Sequence, residues 1–334
     1  MKRTSDACVK TCTGLRLGLS LLPLAGMASA PVHAAETFPS RPIRIIVPFA
    51  PGGGTDATAR IVGPALSERL GQPVMIDNRP GAGTMLGTEL TARSAPDGYT
   101  IMTASASHAI NPTLYSRVNY DPLRDFRAIT MAISFPFVLA VHPAVPVQSV
   151  KELIAYSRAN PGRVSYASSG VGSTNHLAGE LFKRTAGVEM LHVPYKGGGP
   201  AMVDVMSGNV PMIFGTVVQT MPQVRAGKLR GLAVSSARRA AFAADVPTIA
   251  EDGLPGFNVT GWYAFLAPAG APASVVARLN QDMTAILRTP AIQERLISLG
   301  TEPWPSSPEQ AQAFIAAEVL RWGKLIRAAK ITAD

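Results

Sequence analysis

Apolar and polar positions along this chain alternate in blocks. An apolar run, Ile43–Val47, reads as a buried strand and precedes a glycine loop; Ile61, Ala65, Leu66 and Leu70 then recur near helical spacing. The pattern predicts a helix over Asp56–Leu70, kinked at Pro64 and ended by Gly71. A strand at Val74–Ile76, a glycine turn at Asn78–Gly83 and a helix over Thr84–Arg93 follow. A third strand, Tyr99–Ala104, opens into Ser105-Ala106-Ser107-His108. Beyond a Pro-containing loop, Phe137–Val141 is the next expected strand.

The alternation then resumes. It predicts a helix over Ser149–Asn160, a strand at Val164–Ala167, the loop Ser168–His176 and a helix to Thr185. Met190–Val193 leads through Gly197-Gly198-Gly199 into a helix from Pro200 to Ser207, proline suiting a first turn. Met212–Phe214, Leu229–Val234 and Trp262–Ala267 read as strands. The rest is expected to be helical, at Ala273–Arg288, Pro290–Leu299 and Pro308–Ala329, the last opened by the capping-box pair Ser307 and Gln310. One unit, strand then Gly/Ser loop then helix, thus recurs at residues 43–70, 74–93, 164–185 and 190–207. Such units give an α/β fold with parallel sheets, which bind ligands beyond the carboxyl ends of their strands. At 334 residues two domains are the better expectation. Two α/β lobes facing each other would gather all four loops around one cleft.

The stretch Ile45–Arg60 is the most telling. Gly52, Gly53 and Gly54 separate a strand from a helix that Thr55 and Asp56 are placed to cap. Free backbone N–H groups and the positive end of a helix dipole then meet at one point, which is anion-binding geometry. Asp56 fits an anion site poorly. It has three readings: a cap, a brace for the loop, or a partner for a ligand ammonium, with capping preferred.

Composition changes the picture at the amino end. Lys2, Arg3, Lys10 and Arg16 precede the apolar Leu17–Ala25, and small residues follow to Ala28-Ser29-Ala30 and Val32-His33-Ala34. This is the pattern of a secretory signal peptide, residues 1–34, with cleavage expected after Ala34 and Ala30 as the alternative. The expected location is therefore the periplasm. Both cysteines, Cys8 and Cys12, fall in that leader, so the mature chain carries no thiol. The leader also holds four of the 31 Lys/Arg and one of the 22 Asp/Glu, so the net charge of +9 becomes +6. The excess is spread out, with no basic run and no interleaved aromatics, which argues against a nucleic-acid partner.

A search for chemistry returns no catalytic constellation. The histidines 33, 108, 142, 176 and 192 show no metal spacing. There is no Gly-x-Ser-x-Gly elbow, no phosphate-loop Gly-Lys-Ser/Thr, and Gly170-Val171-Gly172 lacks the third glycine of a dinucleotide fingerprint. No enzymatic activity, cofactor or metal is expected.

Several motifs together carry a family resemblance. They are Phe38-Pro39-Ser40-Arg41-Pro42-Ile43, Val47-Pro48-Phe49-Ala50-Pro51-Gly52-Gly53-Gly54-Thr55-Asp56, Asn78-Arg79-Pro80-Gly81-Ala82-Gly83, Pro96-Asp97-Gly98-Tyr99-Thr100, Asn111-Pro112-Thr113-Leu114-Tyr115, Val193-Pro194-Tyr195-Lys196-Gly197-Gly198, Ala226-Gly227-Lys228-Leu229-Arg230, Trp262-Tyr263 and Trp322-Gly323-Lys324. Nearly all of the mature chain resembles the Bug (TctC-like) extracytoplasmic solute receptors of tripartite tricarboxylate transporters. The resemblance implies a type II periplasmic-binding-protein fold, two lobes with a ligand cleft between them. Lobe 1 would comprise residues 35–139 and 263–334 and lobe 2 residues 140–262, with crossings near Phe137–Val141 and Gly261–Ala264. It implies a small carboxylate as ligand, a monomer, and either the permease subunits of such a transporter or a sensor kinase as partner. Carried over by position, the ligand residues are Gly53, Gly54, Thr55, Asp56, Gly83 and Ser105 on lobe 1. On lobe 2 they are Ser168, Gly172, Ser173, Thr174, His176 and Thr216, the last in a loop that varies within the family.

Overall fold

A computed structural model describes residues 38–195 and 197–333; the expected leader and both cysteines lie outside the described residues. The first strand, β1 (Ile43–Val47), is buried through its apolar side chains and pairs in parallel with β2 (Val74–Asn78) and β3 (Thr100–Ser105). Between β1 and β2 runs α1 (Gly54–Leu70), closed at its end by Gly71 in the left-handed conformation. Pro64 lies inside α1 on its exposed side, and the helix runs on to Leu70. A short 3-10 turn, Ala82–Thr84, precedes α2 (Met85–Ala92), and β3 leads directly into α3 (Ala106–Leu114).

The expected loop before Phe137 is instead strand. β4 runs from Phe126 to Val141, and its composition, rich in Phe, Ile and Val, suits a buried pleat. Pro136 concealed its first part from the sequence pattern. Proline cannot donate to a ladder, and here it sits where β4 changes partners. Residues Phe126–Pro136 pair antiparallel with β9 (Thr260–Pro268), whereas Phe137–Val141 pair with β7 (Met212–Thr216) and β8 (Arg230–Val234).

The second sheet half is filled by α4 (Val150–Ala159), β5 (Ser165–Ser168), α5 (Thr174–Ala186), β6 (Leu191–Pro194), α6 (Gly198–Met206) and α7 (Val217–Arg225). β5 is parallel to both β6 and β7. After β9 the chain forms α8 (Ala273–Leu287), α9 (Pro290–Ser298), a two-residue β10 (Glu302–Pro303) that returns to β4, and α10 (Pro308–Ala329). The strand order is β2-β1-β3-β9-β4-β7-β5-β6, with β8 and β10 also on β4. The result is a mixed α/β fold whose two sheet halves share β4.

One buried residue, Ser235, pins the passage between the halves. Its hydroxyl accepts from the Phe137 N–H at 2.9 Å and donates to the Val259 carbonyl at 2.5 Å. Its own N–H and C=O engage Phe137 O and Val259 N, both at 2.8 Å. Both connections between the halves, at Phe137 and at Val259, are thus tied to a single side chain. No helix among the described residues is long and apolar enough to cross a membrane.

Candidate functional site

Helix N-termini carry N–H groups with no carbonyl one turn back, and a side chain at the cap usually satisfies one of them. Ser105, Ser149, Ser173 and Ser307 do this for α3, α4, α5 and α10. No side chain caps α1, α6 or α7. These three helices open onto one cavity of about 370 Å³. Gly52, Gly53 and Gly54 bring α1 to it, Gly198 brings α6, and Thr216 brings α7. α1 follows a strand of the first sheet half, and α6 and α7 follow strands of the second.

Side chains complete the walls. Phe135 of β4 and Tyr263 of β9 contribute rings 5.2 Å apart, Leu299, Gly300 and Thr301 form a side wall, and Thr58, Ser169 and Gln219 add polar groups. Among the described residues none that line the cavity carries a formal charge. The Tyr263 hydroxyl approaches the start of α1 so closely that a Cβ on Gly54 would stand 2.7 Å from it. Burial raises the Tyr263 pKa, and a hydrogen bond with Thr55 opposes that rise, so a neutral donor faces the cleft. An uncharged cavity ringed by helix N-termini favours an anion through backbone dipoles alone.

Asp56 does not cap α1; the cap residue is Gly53. The Asp56 side chain turns back and accepts from Gly52 N–H at 2.9 Å, Arg60 Nε at 2.9 Å and Asn78 Nδ2 at 3.0 Å. Burial works to raise its pKa, but the bonds from Arg60, Gly52 and Asn78 prevail and hold it below the usual carboxylate value. Asn78 also donates to Phe49 O at 3.1 Å, so this cluster braces the loop. Of the three readings of Asp56, bracing is the one its contacts support.

The other sequence candidates divide. Gly53, Gly54 and Thr216 line the cavity. Thr55 stands behind it against Tyr263. Ser105 caps α3, and the carbonyl of Gly83 accepts from Asn111 Nδ2 at 2.7 Å. Gly172 lies against α3, where an added Cβ would meet Leu114 at 2.0 Å. Ser173 caps α5, and Thr174 begins that helix. Ser168 is fully buried, with its hydroxyl 2.6 Å from His192 Nε2. His176 Nδ1 accepts from Gly172 N–H at 3.0 Å, and its ring stacks on His192 at 3.8 Å. The loop 168–176 therefore reaches the cavity through Ser169, while its neighbours hold it in place.

Sequence reasoning missed Phe135, Ser169, Gln219 and the 299–301 wall. It also missed α7, whose β-branched Val217 and Val218 and internal Pro222 disguise a helix. Ser169 and Gln219 sit beside recognised loops, so proximity to a glycine turn was their one available signal.

Two consequences are measurable here. Ser173→Ala should lower stability by about 1 kcal/mol through loss of the α5 cap and leave ligand affinity within about twofold; calorimetric melting with ligand titration checks both. Burial depresses His108 and His176 to about 4. Unfolding restores a value near 6.5, so acid favours the unfolded chain and stability falls as pH drops from about 6.5 toward 4. By pH 5.5 the loss is on the order of 1 kcal/mol for each. A melting temperature that stays flat from pH 7 to 5 would contradict it.

The chain is similar to proteins already known. Residues 58–331 match the family described as tripartite tricarboxylate transporter family receptor. Protein BugT of Bordetella pertussis is 40% identical over 305 residues, covering 91% of this chain and 93% of BugT. An R. palustris protein solved with adipate is 38% identical with a TM-score of 0.79, covering 88% of this chain and 99% of that one. MatC from Rhodopseudomonas palustris with bound malate is 31% identical with a TM-score of 0.75, covering 86% of this chain and 100% of that one. On sequence and fold together, this chain belongs to the TctC family of tripartite tricarboxylate transporter receptors, whose members include the Bug periplasmic solute-binding proteins.

Proposed function

We propose that this protein is a periplasmic receptor that captures a small carboxylate by lobe closure and delivers it to the membrane permease of a tripartite tricarboxylate-type transporter. One observation carries the reading: three helix N-termini without side-chain caps, from both sheet halves, open onto a single cavity whose described lining is uncharged. The contacts are the α1 start at Gly53 and Gly54, with Thr58 and Tyr263, facing Ser169, Gly198, Thr216 and Gln219. Asp56, Thr55, Ser168 and His176 serve by holding those groups in place. One lobe takes the described residues before Phe137 and after Val259, and the other lies between them. The lobes pivot where Ser235 joins Phe137 and Val259, since both connections between them pass that point. Anion binding to one set of amides recruits the other and closes the cleft. The family description favours a permease over a sensor kinase as the receiving partner.

The test is a thermal-shift screen of the purified mature protein against carboxylates. A solute at 100 times its dissociation constant adds about 2.7 kcal/mol, which raises the melting temperature by roughly 5–10 °C at this size. No shift with any carboxylate, for protein that native mass spectrometry shows to be free of bound solute, would reject the reading.

A further inference from the structure

A Ser or Thr cap followed by Gln as third helical residue occurs at two described helices, with opposite outcomes. At α10, Ser307 and Gln310 form a closed capping box: Gln310 N–H donates to Ser307 Oγ at 3.2 Å, and Ser307 N–H donates to Gln310 Oε1 at 3.0 Å. At α7, Thr216 and Gln219 occupy the same two positions, cap and third residue, and no side chain caps the helix. The Thr216 hydroxyl instead donates to Gln219 Oε1 at 3.2 Å. The carboxamide of Gln219 lies across α6, where Gly198 makes room for it: a Cβ there would be 2.7 Å from Oε1. Gln219 Nε2 has no hydrogen-bond partner among the described residues. The open box belongs to the cavity wall and the closed one does not.

We propose that the Thr216–Gln219 box stays open for the ligand, and that Gln219 selects solutes whose far end carries a second carboxylate. This rests on the carboxylate-receptor reading above. A closed box satisfies N–H groups with the protein's own side-chain oxygens. An open one leaves those groups of α7, beside the start of α6, to an oxygen supplied from outside. Gln219 can add a donor to that oxygen through Nε2 while contributing no negative charge of its own. The α1 loop, on the other sheet half, holds the first carboxylate, and the apolar surface of Phe135 and Tyr263 accepts the carbon chain between. A glutamate at 219 would be the better capping residue and the worse receptor residue, because its carboxylate would take the place of the ligand's.

Gln219→Glu and Gln219→Leu, with the parent protein, are titrated calorimetrically with adipate and with hexanoate, which has the same carbon count and one carboxylate fewer. For Gln219→Glu the ligand-free melting temperature should rise by about 1–3 °C as the box closes. Adipate should weaken at least about 30-fold, the loss of one or two charge-assisted bonds, and hexanoate by less than about threefold. Gln219→Leu should weaken adipate by about 10–100-fold with no gain in melting temperature. Adipate affinity unchanged in Gln219→Glu, or equal losses for both acids, overturns the assignment to Gln219 while the receptor reading stands. A parent protein that binds neither these acids nor any other carboxylate of the screen overturns the receptor reading and this inference with it.

Discussion

Gly53→Asp is expected to abolish carboxylate binding, by a factor of about 100 or more, without loss of stability. Gly53 is the cap residue of α1, with φ −80° and ψ 168°, an extended conformation open to any residue. An added Cβ has only Ala50 O nearby, at 4.0 Å. Aspartate there fits without strain and places an oxygen on the first-turn N–H groups, as N-cap residues do. The gain in helix stability over glycine is a few tenths of a kcal/mol. The ligand loses those same groups, each charge-assisted bond being worth about 1.5–3 kcal/mol, and meets a fixed negative charge as well. Two such bonds correspond to at least about 100-fold. Gly53→Asn separates the contributions: it caps without charge and should cost about tenfold. Calorimetric titration with the best solute from the carboxylate screen, beside ligand-free melting curves, reads both quantities. A Gly53→Asp protein that binds normally would mean that the α1 start does not hold the anion.

The logic behind this variant also explains how much of the site could be read from the chain. The strand-loop-helix repeat is local, so β1 with α1, β5 with α5, and β6 with α6 were legible from periodicity and glycine placement. The long β4 was legible only over its last five residues, Phe137–Val141, because a proline in a strand is a warning sign unless the strand is changing partners there. For the site, the sequence pointed to loops rich in serine and threonine. Those residues are good caps, and Ser105 and Ser173 use their hydroxyls for that purpose. A helix that caps itself has satisfied part of what it would offer a ligand. The informative signal is the reverse one, a helix start built from glycine, as at Gly53 and at Gly197-Gly198, or a capping pair that fails to close, as at Thr216 and Gln219. The first of these is visible in a sequence. The second depends on where Gly198 lies relative to Gln219, a tertiary relation that spacing along the chain does not encode. Phe135, Tyr263 and Thr301 come together for the same reason, through β4, β9 and the chain just before β10.

Glu318→Leu should produce the largest loss of stability, about 3–5 kcal/mol. Glu318 is 4% exposed and lies between two indoles that are wholly buried, Trp262 of β9 and Trp322 of α10. Its Oε2 accepts from Trp322 Nε1 at 2.7 Å and from Trp262 Nε1 at 3.1 Å, and its Oε1 accepts from Arg321 at 3.1 Å. Leucine preserves much of the volume and removes every acceptor, so two buried N–H groups lose their partner at about 1–3 kcal/mol each. The melting temperature should fall by roughly 10 °C, with a change in tryptophan emission because both indoles are involved. Glu318→Gln retains one acceptor oxygen and should lose about half as much. The consequence for binding is separable. Neighbouring side chains on a strand point to opposite faces, so Trp262 faces α10 while Tyr263 faces the cavity. The antiparallel ladders of β9 with β3 and β4 fix the position of Tyr263 independently of Glu318. Glu318→Gln at a temperature well below its transition should therefore bind its solute within about threefold of the parent protein. A leucine variant that melts within about 1–2 °C of the parent would show that the two indoles find other acceptors. A glutamine variant that folds but no longer binds would show that the tie between α10 and β9 sets the position of the cavity floor, and that the strand ladders alone do not.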